Sequence, residues 1–177
     1  VVVGYMGRLA AEKQVTDLSV LADLPGTRMV IIGDGPMREE LEARLPNAVF
    51  VGMKTGDDLP QYLASLDLFV HPGELETFGQ AIQEAQASGL ATIAPRRGGP
   101  IDLIERSHNG WLYSPGDLAD LRHRVVDLVG DDFKRASFGR TARARVENRT
   151  WPQISDQLLD HYWAAIELRV KAPVRIA

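Results

Sequence analysis

The chain has 177 residues, 45% hydrophobic and 25% charged, the balance of one globular domain long enough to bury a sizeable core. A net charge of -4 excludes the broad cationic footprint of a nucleic-acid-binding protein, and the absence of cysteine excludes disulfides, thiol catalysis and cysteine-bound metal. No apolar run reaches the roughly eighteen residues needed to span a bilayer as a helix.

In chain order, short apolar runs alternate with amphipathic stretches. Residues 1–5 read as a buried strand, entered without an initiator methionine, so the chain is expected to be a fragment that lacks an N-terminal domain. A glycine turn then leads to a helix over 13–24. A second strand, 28–32, ends in Gly33-Asp34-Gly35-Pro36, and Pro36 suits the start of a helix over 37–44. A third strand covers 48–51, Asp57-Asp58 cap a helix to Ser65, and a fourth strand covers 66–71. A helix over 78–88 is closed by Gly89. A fifth strand (90–94), a helix (101–106), a sixth strand (110–113) and a helix from Asp117 to Val129 follow. From Asp131 the chain is helical, with a break at Trp151-Pro152, where proline fits a helix start and not an interior.

Uniformly apolar strands alternating with helices predict a Rossmann-like parallel sheet of six strands with helices on both faces. The expected organisation is a ligand-binding domain over 1–150, a C-terminal helix over 151–170 that packs back toward the missing domain, and a frayed tail over 171–177. Trp111, Trp151, Tyr162 and Trp163 read as packing residues, the last three with the alternative of fixing the terminal helix against a neighbour.

In parallel sheets ligands bind outside the carboxyl ends of the strands. Four such ends carry polar or glycine-rich segments here. After the first strand, Gly7 permits a tight turn, while Arg8 and Lys13 supply a fork and a point charge suited to two phosphates. A helix starting near Lys13 adds its positive end. Gly33-Asp34-Gly35 lacks the third glycine of a dinucleotide fingerprint, because position 38 is Arg38, and the segment follows the second strand. That spacing disfavours a nicotinamide dehydrogenase.

After the fourth strand, Glu76-Thr77-Phe78-Gly79 places first-turn N–H groups where an anion or sugar oxygen can be held. Thr77 has the alternative of capping the helix. Glu84, eight residues after Glu76, is expected on the sheet-facing side, where an unpaired carboxylate costs several kcal/mol. Eight helical residues rise about 12 Å, the reach between two hydroxyl-bearing rings joined by a diphosphate. Ionised carboxylates only accept hydrogen bonds and so suit hydroxyls. These residues together predict a nucleotide-sugar site. His71 is explained equally well as a pocket residue or a structural one. No residue spacing resembles a metal site, and no Gly-x-Ser-x-Gly nucleophile turn is present.

The segments Gly7-Arg8-Leu9 with Glu12-Lys13, Gly33-Asp34-Gly35-Pro36, Glu76-Thr77-Phe78-Gly79 through Glu84-Ala85, and Gly98-Gly99 resemble, in order and spacing, the donor-binding half of a retaining GT-B glycosyltransferase of family four. The resemblance covers about residues 1–168. It implies that Arg8 and Lys13 bind the donor diphosphate. Glu76 then bonds the transferred sugar with help from the Phe78 and Gly79 N–H groups, and Glu84 holds the ribose hydroxyls. Gly33 and the segment Val51-Gly52-Met53-Lys54 flank the base. It further implies front-face transfer with retained configuration and no bound metal or cofactor. The implied acceptor is a glycan or glycolipid held by the missing N-terminal domain. The implied location is the cytoplasm, at the inner face of the plasma membrane, with the full-length enzyme associating peripherally.

The sequence departs from the family at Gln14, where glycine is common, and at Asp102, near which a glutamate often stands. The run Gly98-Gly99-Pro100-Ile101-Asp102-Leu103 resembles mannosyltransferases that use GDP-mannose, which makes that the favoured donor. Two other readings remain: a non-catalytic nucleotide-sugar-binding module, and an epimerase of the same fold, which needs no acceptor.

Overall fold

Alternate residues of each strand enter opposite cores, as the two-residue period of extended backbone requires. On one side Val3, Tyr5, Ile31, Leu68, Val70 and Ile93 are buried; on the other are Met6, Ile32, Phe69 and Ala94. The computed structural model describes residues 1–171, so the tail expected to fray lies, from residue 172 onward, outside the described residues. The six strands are β1 Val2–Met6, β2 Arg28–Ile32, β3 Val49–Gly52, β4 Leu68–Val70, β5 Ala91–Pro95 and β6 Gly110–Tyr113. All pair in parallel in the order β3-β2-β1-β4-β5-β6. The order reverses between β1 and β4, the switch point beside which ligands bind in open parallel sheets.

Helices cover both faces, as expected. Leu41 of α1 (Arg38–Arg44) and Leu121, Val125 and Leu128 of α5 (Leu118–Val129) complete one core. Leu63 of α2 (Asp58–Ala64), Ile82 and Ala85 of α3 (Gln80–Ala87) and Leu103 of α4 (Pro100–Leu103) complete the other. Burying each large apolar side chain contributes about 1.5–3 kcal/mol. Phe138 of α6 (Asp132–Val146) packs its ring edge against Trp111, and the Trp111 indole N–H donates to Asp127 at 2.8 Å.

Three local expectations are corrected. The segment after β1 is not an α-helix but two 3₁₀ stretches, Ala11–Lys13 and Val15–Leu21, broken where Gln14 adopts φ 49° and ψ 35°. A residue in the left-handed region cannot continue an α-helix. Asp57 precedes α2 without making a side-chain cap. The helix expected over 101–106 stops at Leu103, because Ile104 is extended. Asp117, by contrast, caps α5 by accepting from the Asp120 N–H at 2.9 Å.

The chain divides into two units, Val1–Val146 and Glu147–Ala177. The second contains α7, Trp151–Lys171. Thr150 and Gln153 form a reciprocal cap at its start: Gln153 N–H donates to Thr150 Oγ1 and Thr150 N–H to Gln153 Oε1. Trp111 packs as expected, whereas Trp151, Tyr162 and Trp163 of α7 are exposed.

Candidate functional site

The loops after β1 and β2 are laced together by backbone hydrogen bonds. Gly7 N–H donates to Ile32 O at 3.0 Å, Leu9 N–H to Asp34 O at 2.9 Å, and Met37 N–H to Leu9 O at 2.9 Å. Gly33 has φ 138°, and a Cβ there would lie 1.9 Å from the Gly7 carbonyl oxygen, so only glycine allows the loops to touch. Above this junction opens a cavity of about 560 Å³, with Gly7, Arg8, Gly33, Met53 and Lys54 on its walls. Its floor is apolar (Met6, Ile32, Leu59), the lining expected of a site for a flat ring system. Arg8 reaches the rim, where its guanidinium meets only Glu12 at 3.4 Å and remains largely exposed.

Lys13 and Glu76 meet directly. The ammonium donates to Glu76 Oε2 at 2.8 Å, with both side chains mostly buried. The other carboxylate oxygen, Oε1, accepts the N–H groups of Gly79 at 2.9 Å and Phe78 at 3.3 Å. The backbone donors expected to be free are therefore occupied by Glu76 itself. Burial raises the Glu76 pKa, but the Lys13 hydrogen bond and charge and the two N–H groups outweigh it and hold the carboxyl down to about 2. Lys13 lies in a three-residue 3₁₀ stretch, so the helix expected to begin at it does not form. Thr77 is exposed and caps nothing, since the residue preceding α3 is Gly79 in a left-handed conformation.

A second bracket holds the loop that carries Glu76. Gln14 Oε1 accepts the Glu74 N–H at 2.6 Å, and its Nε2 donates to Glu74 Oε1 at 3.4 Å. Arg97 donates to Glu74 Oε2 at 2.9 Å. From below, Gly99 N–H donates to Glu76 O at 2.8 Å. A Cβ on Gly98 would lie 2.4 Å from that same oxygen. The Gly98-Gly99 pair thus props the Glu76 loop. Sequence reasoning did not assign Gln14, Glu74 and Arg97 to the site. The one signal was the departure from glycine at Gln14, whose left-handed backbone explains the family's preference.

Glu84 departs from expectation. Glu76 lies in the loop before α3, so only the steps from Gln80 onward are helical and the continuous 12 Å rise does not apply. Glu84 faces away from the sheet, half-buried, and accepts from Gln80 Nε2 at 2.9 Å. It lines a groove of about 400 Å³ between α2 and α3, and Leu59 lines both this groove and the larger cavity. Glu84 is therefore beside the cavity rather than beneath it.

His71 directly follows β4, 2% exposed, with its ring stacked on Tyr5 at 6.4 Å and neither ring nitrogen hydrogen-bonded. Burial pushes its pKa down to about 4, with Lys13 adding to the effect and Glu76 opposing it, so the ring is neutral. Among the described residues, no group of three or more His, Asp or Glu side chains is placed to hold a metal ion, and no helix is long and apolar enough to cross a membrane.

The structure thus brings Gly7, Arg8, Gly33 and Met53 to one cavity, joins Lys13 to Glu76, Phe78 and Gly79 at the strand crossover, and sets Glu84 in the adjoining groove. Residues 1–145 match the family described as glycosyl transferases, group 1. The chain belongs to that family. This group 1 glycosyl transferase chain is 44% identical over 173 residues to a GDP-mannose-dependent alpha-mannosyltransferase of Corynebacterium glutamicum, covering 98% of this chain and 42% of that protein. It is 46% identical over 164 residues to a GDP-mannose-dependent alpha-mannosyltransferase of Mycobacterium tuberculosis, covering 92% and 43%. It spans less than half the length of these relatives. Among solved structures, Anabaena HepE in complex with UDP superposes with a TM-score of 0.79 at 28% identity, over 93% of this chain and 48% of that one. The C-terminal domain of a group 1 family protein, LpcC of Francisella tularensis, shares the fold with a TM-score of 0.72 at 22% identity, over 81% and 82%. The six-stranded parallel sheet matches the C-terminal halves of GT-B glycosyltransferases.

Proposed function

We propose that this chain is the donor-binding part of a retaining mannosyltransferase that uses GDP-mannose. The observation that carries the reading is a pair of cations in the segment after β1: Arg8 lines an apolar cavity, and Lys13 holds the carboxylate of Glu76. Supporting it, the two mannosyltransferase relatives named above are 44% and 46% identical. The base lies in the cavity against Gly33 and Met53. The diphosphate draws Arg8 from Glu12 and Lys13 from Glu76. Glu84 accepts from the ribose hydroxyls, and Glu76 accepts from a hydroxyl of the transferred sugar beside the Phe78 and Gly79 N–H groups.

The chemistry follows from charge. The bond between the sugar's anomeric carbon and the diphosphate oxygen breaks, the diphosphate leaves with added negative charge, and the two cations stabilise it. An acceptor hydroxyl attacks from the same face, and its proton passes to the leaving phosphate, so configuration is retained and no second carboxylate is needed as nucleophile. The acceptor, a glycan or glycolipid, is held by a part of the full-length protein outside this chain. The exposed aromatic residues of α7 pack against that part, and the enzyme works at the cytoplasmic face of the membrane.

Calorimetric titration of the full-length protein with GDP, UDP and ADP, and an assay of transfer from each nucleotide sugar, test this reading. Selective binding of GDP and transfer from GDP-mannose are expected, both weakened by Arg8→Ala. Selective binding of another nucleotide overturns the donor assignment. Binding without turnover supports a non-catalytic module instead, and release of an altered free sugar nucleotide without acceptor supports an epimerase.

A further inference from the structure

A buried polar atom without a partner costs about 1–3 kcal/mol, and native proteins rarely leave one without a use. His71 leaves both ring nitrogens unpaired. Its Nε2 stands 3.7 Å from Glu76 Oε2, just beyond hydrogen-bonding distance of the oxygen that Lys13 holds at 2.8 Å. The ring lies nearly parallel to that of Tyr5, centroids 6.4 Å apart, and a Cβ on Gly73 would lie only 3.2 Å from Nε2, so little free space surrounds it. The His71 backbone N–H is spent on Ile93 O at 2.8 Å. The side chain is thus held in position for a partner that does not yet reach it.

The functional reading above supplies the missing event, and the inference rests on it. Lys13 has two anionic claimants, Glu76 and the donor diphosphate. If Lys13 turns to the phosphates, Glu76 loses its donor on Oε2 while Oε1 stays pinned by Gly79 and Phe78. We infer that His71 is the relief donor: its Nε2–H closes the remaining gap to Glu76 Oε2 when a nucleoside diphosphate takes Lys13, and so keeps the carboxylate aimed at the transferred sugar. A neutral imidazole suits the task, because it carries one N–H and no charge to compete with Lys13 for the phosphates. The exchange conserves the number of bonds to Glu76 and moves one positive charge from the sugar subsite to the leaving group. His71 touches neither sugar nor phosphate in this arrangement and is a positioning residue.

The test uses the full-length protein. In His71→Leu, kcat for transfer is expected to fall about tenfold to a hundredfold, the effect of losing a hydrogen bond to a charged acceptor. The Kd for GDP alone should stay within about twofold, since the GDP contacts are untouched. His71→Gln, which offers an amide N–H near the Nε2 position, is expected to recover part of kcat. In wild type labelled with ¹⁵N-histidine, adding GDP should move the His71 Nε2 resonance to that of a protonated, hydrogen-bonded nitrogen. An unchanged kcat in His71→Leu, an equal loss in kcat and GDP affinity, or a His71 resonance unmoved by bound GDP overturns the inference. The last outcome is read on wild type and stands even where the leucine variant does not fold. Failure of wild type to bind any nucleoside diphosphate overturns the functional reading and this inference with it; binding with an unmoved resonance overturns the inference alone.

Discussion

Lys13 Nζ lies 2.8 Å from Glu76 Oε2, joining two residues separated by 63 positions in the chain. The bond spans the crossover of the sheet, because Lys13 follows β1 and Glu76 follows β4. Each partner thereby holds the other in place across the junction of the two strands.

Removing the cation should therefore cost rate far more than stability. Lys13→Ala in the full-length enzyme is expected to lower kcat by about 10²–10³, the range seen when one preorganised donor is deleted. Stability should fall by no more than about 1–2 kcal/mol, since two backbone N–H groups still hold Glu76. Steady-state assays beside urea unfolding check both, and a loss of stability above that range would assign Lys13 a mainly structural role.

Acid should weaken the fold through His71. Its folded pKa of about 4 lies below the ordinary 6.5, so the unfolded chain binds a proton that the folded one refuses. The associated stability is complete above about pH 6.5 and is lost as pH falls toward 4, amounting to about 3 kcal/mol. Glu76, held down to about 2, adds a second loss below its ordinary 4.5. Urea midpoints measured between pH 7.5 and 4 should decline in wild type and decline less in His71→Gln. Parallel curves would show that His71 does not carry the effect.

The fold was largely legible because buried parallel strands announce themselves as apolar runs, and all six strands were located to within a few residues. The site was legible as a set of residues but less so as an arrangement. Periodicity places Glu84 on a helix, yet only packing decides that it faces the groove beside α2 rather than the sheet. The sequence pattern sets Glu76 at the mouth of a helix over 78–88 with a helical rise on to Glu84, because nothing in Glu76-Thr77-Phe78 interrupts a helical pattern; the left-handed turn at Gly79 delays the start to Gln80. The 3₁₀ stretches after β1 were hidden for a similar reason, since a glutamine in left-handed backbone leaves no compositional trace.

Gln14 offers a direct test of that strain. Gln14→Ala keeps an unfavourable left-handed residue, worth roughly 1–2 kcal/mol, and loses both hydrogen bonds to Glu74. Gln14→Gly loses the same bonds but removes the strain. Unfolding should show the alanine variant about 1 kcal/mol less stable than the glycine variant. Equal stabilities would mean that the backbone at position 14 relaxes.

Two glycines with positive φ should respond very differently to a methyl group. At Gly33 a Cβ meets the Gly7 carbonyl, whereas at Gly26 nothing lies within 4 Å. Gly26→Ala should cost about 1 kcal/mol from backbone strain alone. Gly33→Ala should cost several times that and part the two loops that floor the cavity, which thermal unfolding and GDP titration together detect.

Glu84 should matter for binding and little for folding. It is half-exposed, and its carboxylate accepts from Gln80, four residues away on the same helix. Glu84→Ala is expected to weaken GDP binding about tenfold, as for loss of hydrogen bonds to a charged acceptor, with the thermal midpoint unchanged. Undiminished GDP affinity in calorimetry would remove Glu84 from the ribose site.

The crossover between β1 and β4 also bears on how the domain assembles. Closing a loop of some sixty residues costs roughly 3–4 kcal/mol of chain entropy beyond a constant. Lys13 and Glu76 can meet only after β4 docks on β1, so their bond reports the zipping of two half-sheets into one. A ligand that grips both ends therefore clasps the seam of the molecule, and its binding energy is felt by every strand on either side of it.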